Sequence, residues 1–69
     1  MPLTMAIPGV SSLIKQINGQ DQIKRYLESL GFVVGGSITV ISDLGGNMIV
    51  NVKDTRVALN RGMANKILI

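Results

Sequence analysis

Residues 21–40, DQIKRYLESLGFVVGGSITV, contain one helix, the end of that helix and the beginning of a strand. Within them, apolar side chains recur with the spacing of one face of an α-helix, at Ile23, Tyr26, Leu27 and Leu30. We therefore predict a helix from Asp21 to Leu30, with its apolar face turned towards a core. Asp21 is expected to be the N-cap, and Gly31 the left-handed residue that ends the helix.

After the helix, the period of the apolar residues changes to two, which indicates β-strands. We predict strands at 37–42 and 47–53, joined by a tight turn at Gly45-Gly46. A second turn is expected at Asp54-Thr55. The remaining predicted strands are 12–17, which Asn18-Gly19 ends, 56–59 and 66–69.

Five short strands in 69 residues are too few for two complete sheets. Closing them into a small barrel hides the strand edges and lets all of them share one core. The predicted fold is therefore mainly β, a small β-barrel with one inserted α-helix, and the chain forms a single domain, 1–69. The predicted core consists of Ile14, Ile17, Ile23, Leu27, Leu30, Ile38, Val40, Val50, Val52, Val57, Leu59 and Ile67.

The composition excludes several kinds of chemistry. The chain has no cysteine and no histidine, which removes disulfides, thiolate chemistry, most zinc sites and the usual general base. Its four acids, Asp21, Glu28, Asp43 and Asp54, share no predicted face that would pair two carboxylates. We therefore expect no catalytic residue, no metal ligand, no cofactor and no small-molecule substrate.

The net charge of +3 is compatible with a nucleic acid or an acidic protein as partner, and equally with ordinary solubility. Proteins that bind single strands pair basic grooves with exposed aromatic residues. Here the only aromatic residues are Tyr26 and Phe32, and their positions predict burial. A nucleic acid is therefore the less favoured partner.

Two segments lack charged side chains, 1–14 and 29–42. Both are shorter than the roughly 20 apolar residues that span a bilayer, and glycines or prolines interrupt both. The first also lacks the basic start of a secretory signal. The sequence thus predicts a cytoplasmic protein that is not itself a membrane protein.

Around the predicted helix end, the run Leu30–Gly35, LGFVVG, resembles the "LG-apolar-x-PG" signature of the ferrous iron transport protein A family, FeoA. In that signature one glycine closes the helix and a later one opens the next strand. Val34 stands where the family usually has proline. The resemblance extends over nearly the whole chain, through Leu3, Gly9, Ile14, Ile17, Ile38, Val40, Ile41, Val57, Ala58, Leu59, Arg61, Ala64, Ile67 and Ile69.

The resemblance implies an SH3-like barrel and a cytoplasmic accessory protein of ferrous iron uptake. Its implied partner is the cytoplasmic region of the membrane GTPase FeoB. Because the chain has no room for a helix-turn-helix, the free-standing form of the family is favoured. The alternatives are a small-barrel nucleic-acid-binding protein and a stand-alone regulatory domain akin to the C-terminal domain of metal-dependent repressors.

A barrel without a catalytic cleft must act through its outer surface. The candidate partner-binding residues are cations and loop residues that a docking protein could contact. They are Lys24, Arg25, Phe32, Val33, Gly45, Gly46, Arg56 and Arg61.

Overall fold

The computed structural model describes all residues, 1–69, and its fold is mainly β. In chain order the elements are a 3-10 helix Leu3–Met5, β1 Ser11–Leu13, β2 Gln16–Ile17, α1 Asp21–Ser29, β3 Ser37–Leu44, β4 Asn47–Val52, β5 Thr55–Asn60, α2 Arg61–Ala64 and β6 Ile67–Leu68. Four strands form one antiparallel sheet in the order β1-β3-β4-β5, and β2 pairs with β6 in a second sheet.

The single strand predicted at 12–17 is wrong, because the chain changes sheets within it. Leu13 pairs with Ser37 of β3, whereas Gln16 pairs with Leu68 of β6. Between them, the Ile14 N–H donates to the Gly36 carbonyl at 2.9 Å and the Lys15 N–H donates to the Leu68 carbonyl at 2.8 Å. This switch forms a corner of the barrel, where one segment joins both sheets.

The end of α1 follows the sequence prediction closely. Gly31 has a φ of +105°. Its N–H donates to the Glu28 carbonyl at 2.9 Å, and the Phe32 N–H donates to the Leu27 carbonyl at 3.0 Å. These two bonds form a Schellman motif, which satisfies the last helical carbonyls and reverses the chain.

The predicted start of α1 is shifted by one residue. Gln20 is the N-cap, with an extended backbone and no side-chain capping bond, and Asp21 is the first helical residue. The Asp21 carboxylate still lies in the first turn, where its negative charge interacts favourably with the positive end of the helix dipole.

Two tight turns connect the strands β3, β4 and β5. Gly45-Gly46 joins β3 to β4 as expected. The second turn lies one residue earlier than predicted, at Lys53-Asp54, and its φ values are 50° and 60°. A pair of left-handed residues forms the two-residue turn that matches the twist of an antiparallel hairpin.

The core lies between the two sheets and α1. Of the predicted core residues, Ile23, Leu30 and Val57 are only partly buried and the rest are fully buried. Tyr26, predicted to face inward, is 54% exposed because α1 packs through Ile23, Leu27 and Leu30 instead. Further buried residues complete the core: Leu3, Phe32, Met48, Ala64 and Ile69.

Candidate partner-binding surfaces

The outer face of the four-stranded sheet is polar at one end. Alternation along β3 turns Ile38 and Val40 into the core, so Ser37 and Thr39 point outward. Together with residues of β4 and the turn after it, they line an open depression of about 260 Å³. Its lining consists of Ser37, Thr39, Asn51, Lys53 and Asp54.

Arg56 continues this polar surface on the neighbouring strand. Thr39 lies opposite Asn51, and Asn51 lies opposite Arg56, so the three side chains form one row across β3, β4 and β5. The α1 end lies close by, since a Cβ built on Gly31 would be 3.6 Å from Lys53 Cδ. The structure thus brings Arg56, a predicted site residue, to the same end of the barrel as the unpredicted Lys53.

The opposite end of β4 carries a second group of predicted site residues. The Arg61 N–H donates to the Gly46 carbonyl at 3.0 Å, which places Arg61 beside the Gly45-Gly46 turn. Arg61 Nη1 also lies 2.6 Å from Asp43 Oδ2 and 2.7 Å from Asp43 Oδ1. The two side chains are 43% and 32% exposed, so the ion pair contributes about 1 kcal/mol or less, but it neutralises the charge of Arg61.

These two groups cannot form one compact patch. The Gly45-Gly46 turn and the Lys53-Asp54 turn lie at opposite ends of β4, which has six residues. At about 3.3 Å per residue, they are about 20 Å apart.

Lys24 and Arg25 form a third group, on α1. Both are exposed, and neither takes part in the one salt bridge of the structure, Arg61 with Asp43. The same helix carries two acids, Asp21 and Glu28, which are also exposed. Of the eight candidates, Lys24, Arg25 and Arg56 are therefore the exposed cations without an ion-pair partner.

The two predicted loop residues after α1 have different surroundings. Phe32 is 0% exposed, so its aromatic ring belongs to the core and is removed from the partner-binding candidates. Val33 is partly buried. The Schellman motif turns the chain inward immediately after Gly31, which brings Phe32 into the core.

Sequence reasoning missed the polar depression, although its signal was present. The period-two alternation that placed Ile38 and Val40 inside also places Ser37 and Thr39 outside. What the alternation could not supply was the neighbouring strand, because the register of Thr39 against Asn51 depends on the folded hairpin.

The interior of the barrel contains only apolar side chains. No polar or charged side chain is buried, and no three residues among Asp, Glu, His and Cys come together. Neither helix has the length and apolar character needed to cross a bilayer.

Comparison with known proteins decides the family. A model described as the FeoA domain matches residues 1–69. The chain belongs to the FeoA family. A curated protein of Methanocaldococcus jannaschii, provisionally named Fe(2+) transport protein A, is 31% identical over 68 residues, which cover 99% of this chain and 83% of that protein.

Solved structures share the fold. A crystal structure of an iron uptake regulatory protein, FeoA, has a TM-score of 0.90 at 26% identity and covers 97% of this chain and 91% of its own. FeoA of Stenotrophomonas maltophilia, a procaryotic SH3 domain protein crystallised with zinc, has a TM-score of 0.85 at 27% identity, with 99% and 87% covered. These similarities confirm the resemblance and the SH3-like barrel.

A manganese-dependent transcriptional repressor is similar in fold alone. Its TM-score is 0.86 at 21% identity, and the match covers 97% of this chain and 39% of the repressor.

Family membership implies an accessory role in ferrous iron uptake for the present chain.

Proposed function

We propose that this protein is a cytoplasmic, non-catalytic adaptor that binds the cytoplasmic region of an FeoB-like membrane GTPase. The observation that carries the proposal is the FeoA family match over residues 1–69. The absence of buried polar side chains supports it, because an adaptor acts through surface contacts and needs no interior chemistry. Iron is then the cargo of the transporter, and this chain modulates the transporter by contact.

For the docking surface we propose the outer face of α1 around Lys24 and Arg25. Both cations are exposed and neither forms an ion pair in the structure, so both can reach a partner carboxylate. Exposed charges of this kind act over about 8 Å at physiological salt and chiefly raise the rate of encounter. The expected counterpart is an acidic patch on the GTPase.

The test is a double charge reversal, Lys24→Glu with Arg25→Glu. Each reversal lowers the net charge by two, so the net charge changes from +3 to −1. We expect the association rate with the purified FeoB cytoplasmic region to fall about tenfold at low salt, and the difference to shrink as salt rises. Surface plasmon resonance at several ionic strengths measures both effects.

A matched control changes the net charge equally on another surface. Lys53→Glu with Arg56→Glu reverses the two cations beside the polar depression. This control should associate at nearly the wild-type rate. If the control alone loses binding, docking occurs at the depression and not on α1. If both variants lose binding equally, net charge and not a specific face controls the rate.

We also expect no one-to-one site for Fe(II) or Zn(II) with submicromolar affinity. The four carboxylates are the chain's only strong side-chain ligands for these ions, and no three of them come together. The zinc in the Stenotrophomonas maltophilia structure is a property of that protein. Calorimetric titration under anaerobic conditions measures the affinity, and a stoichiometric submicromolar site would contradict this expectation.

A further inference from the structure

The four-stranded sheet ends at β5, and the outer edge of β5 is open. The strand order is β1-β3-β4-β5, so β5 pairs with β4 on one side and with no strand on the other. It is six residues long. Its solvent-facing backbone groups form a free edge onto which another strand can add.

The hydrogen-bond pattern identifies which residues of β5 face outward. The two-residue turn Lys53-Asp54 makes Val52 and Thr55 a hydrogen-bonded pair. At the other end of the strand, the Arg61 N–H donates to the Gly46 carbonyl. Arg61 lies an even number of residues from Thr55, so every second residue between them bonds to β4. Thr55, Val57 and Leu59 therefore bond to β4.

The alternate residues, Arg56, Ala58 and Asn60, direct their N–H groups away from β4. No backbone bond outside the helices and strands engages Arg56 or Ala58. Both residues are exposed. The free edge is thus centred on Ala58.

The two edges of this sheet differ in how they are protected. The β1 edge has three residues and follows Pro8 and Gly9, which limits any further pairing. In contrast, β5 contains no proline and has an unbroken register with β4. Its single charged residue is Arg56. An edge of this length, with one charge and neither proline nor bulge, favours pairing.

We propose that β5 pairs antiparallel with β5 of a second copy of this chain, about a two-fold axis at Ala58. In this register Ala58 lies opposite Ala58 of the second copy, and Arg56 lies opposite Asn60. No like charges then face each other across the axis, whereas centring the pair on Arg56 would oppose two guanidinium groups. Val57, which is partly buried in one chain, comes to lie opposite Leu59 of the second copy.

The self-complementary arrangement of this edge is what favours a second copy over an unrelated strand. A two-fold contact uses the same residues twice, so every outward residue must tolerate its symmetry partner. Ala58 is small and neutral, and Arg56 meets Asn60, an uncharged side chain. The result is one sheet continuous across both copies.

The test uses opposite charges at the two-fold axis. Ala58→Lys places two ammonium groups opposite each other, beside Arg56, and should raise the dimer dissociation constant about fivefold or more. Ala58→Asp should raise it less, because Arg56 lies two residues away on the same face. An equimolar mixture of the two variants pairs Lys with Asp, and should dimerise more tightly than either variant alone.

Sedimentation velocity at protein concentrations up to millimolar measures the dimer dissociation constant of the wild type, of each variant and of their mixture. Since residue 58 is exposed, circular dichroism at low protein concentration should show the same fold in each. A wild-type protein that stays monomeric at millimolar concentration would overturn the proposal. So would two variants that dimerise as well as the wild type, or a mixture that shows no recovery.

Amide hydrogen exchange provides an independent readout of the edge. In the monomer, the amides of Arg56 and Ala58 should exchange quickly while those of Val57 and Leu59 are protected by β4. At high protein concentration the Arg56 and Ala58 amides should become protected as well. A dimer that leaves these two amides unprotected uses a different surface and contradicts the proposed pairing.

Discussion

Replacing Leu27 by alanine is expected to lower the free energy of unfolding by about 2–5 kcal/mol. Leu27 is 0% exposed and is the one fully buried residue of α1. It attaches the helix to the barrel, so truncation removes buried apolar surface and leaves a cavity. A domain of this size is stabilised by only about 3–10 kcal/mol, at roughly 0.05–0.15 kcal/mol per residue. Urea denaturation followed by circular dichroism measures the loss.

The neighbouring Tyr26 gives a matched control for this experiment. Its side chain is 54% exposed, and alanine is a better helix former than tyrosine. Tyr26→Ala should therefore change the stability by about 0.5 kcal/mol or less. If Leu27→Ala were as stable as the wild type while Tyr26→Ala was strongly destabilised, α1 would have to pack through a different face of the helix from the one described.

The helix and the β-hairpins were predictable because their signals are local. The period of Ile23, Leu27 and Leu30 and the glycine at position 31 define α1 without reference to the rest of the chain. The Gly45-Gly46 turn between two alternating runs likewise predicts a hairpin. In both cases the residues that carry the signal lie within a few positions of the structure that they determine.

The corner at Ile14 and the burial of Ala64 depend on distant partners. Lys15 bonds to Leu68, more than fifty residues away, and nothing near Lys15 marks the change of sheet. The helix α2 has only four residues, too few for a periodic pattern. Its start does have a local signal, since Asn60 Oδ1 accepts a hydrogen bond from the Met63 N–H at 2.8 Å.

The candidate surface was the least predictable part for a similar reason. Sequence supplies the cations but not their distribution over the barrel. The ion pair of Arg61 with Asp43 joins residues eighteen positions apart, and it removes Arg61 from the free cations. The separation of Arg56 from Gly45-Gly46 follows only from the length and direction of β4.

Replacing Phe32 by alanine is the second change expected to have a large effect, about 3–5 kcal/mol of lost stability. Phe32 is 0% exposed and heads the fully buried side chains by volume. The Phe32 N–H donates to the Leu27 carbonyl at 3.0 Å, and the left-handed Gly31 directs the ring into the core. With a total stability of about 3–10 kcal/mol, the variant should be substantially unfolded at physiological temperature.

A milder change distinguishes a core role for Phe32 from a role in partner binding, which the sequence suggested for this loop. Phe32→Leu keeps most of the buried apolar surface, so it should fold and lose no more than about 1.5 kcal/mol. Because the ring does not reach the surface, this variant should bind the FeoB cytoplasmic region with wild-type affinity. Val33→Ala, at the partly buried neighbour, shows how much binding the loop itself contributes. A Phe32→Leu protein that is fully folded by circular dichroism yet fails to bind, while Val33→Ala binds normally, would contradict a purely structural role and mean that the ring contacts the partner.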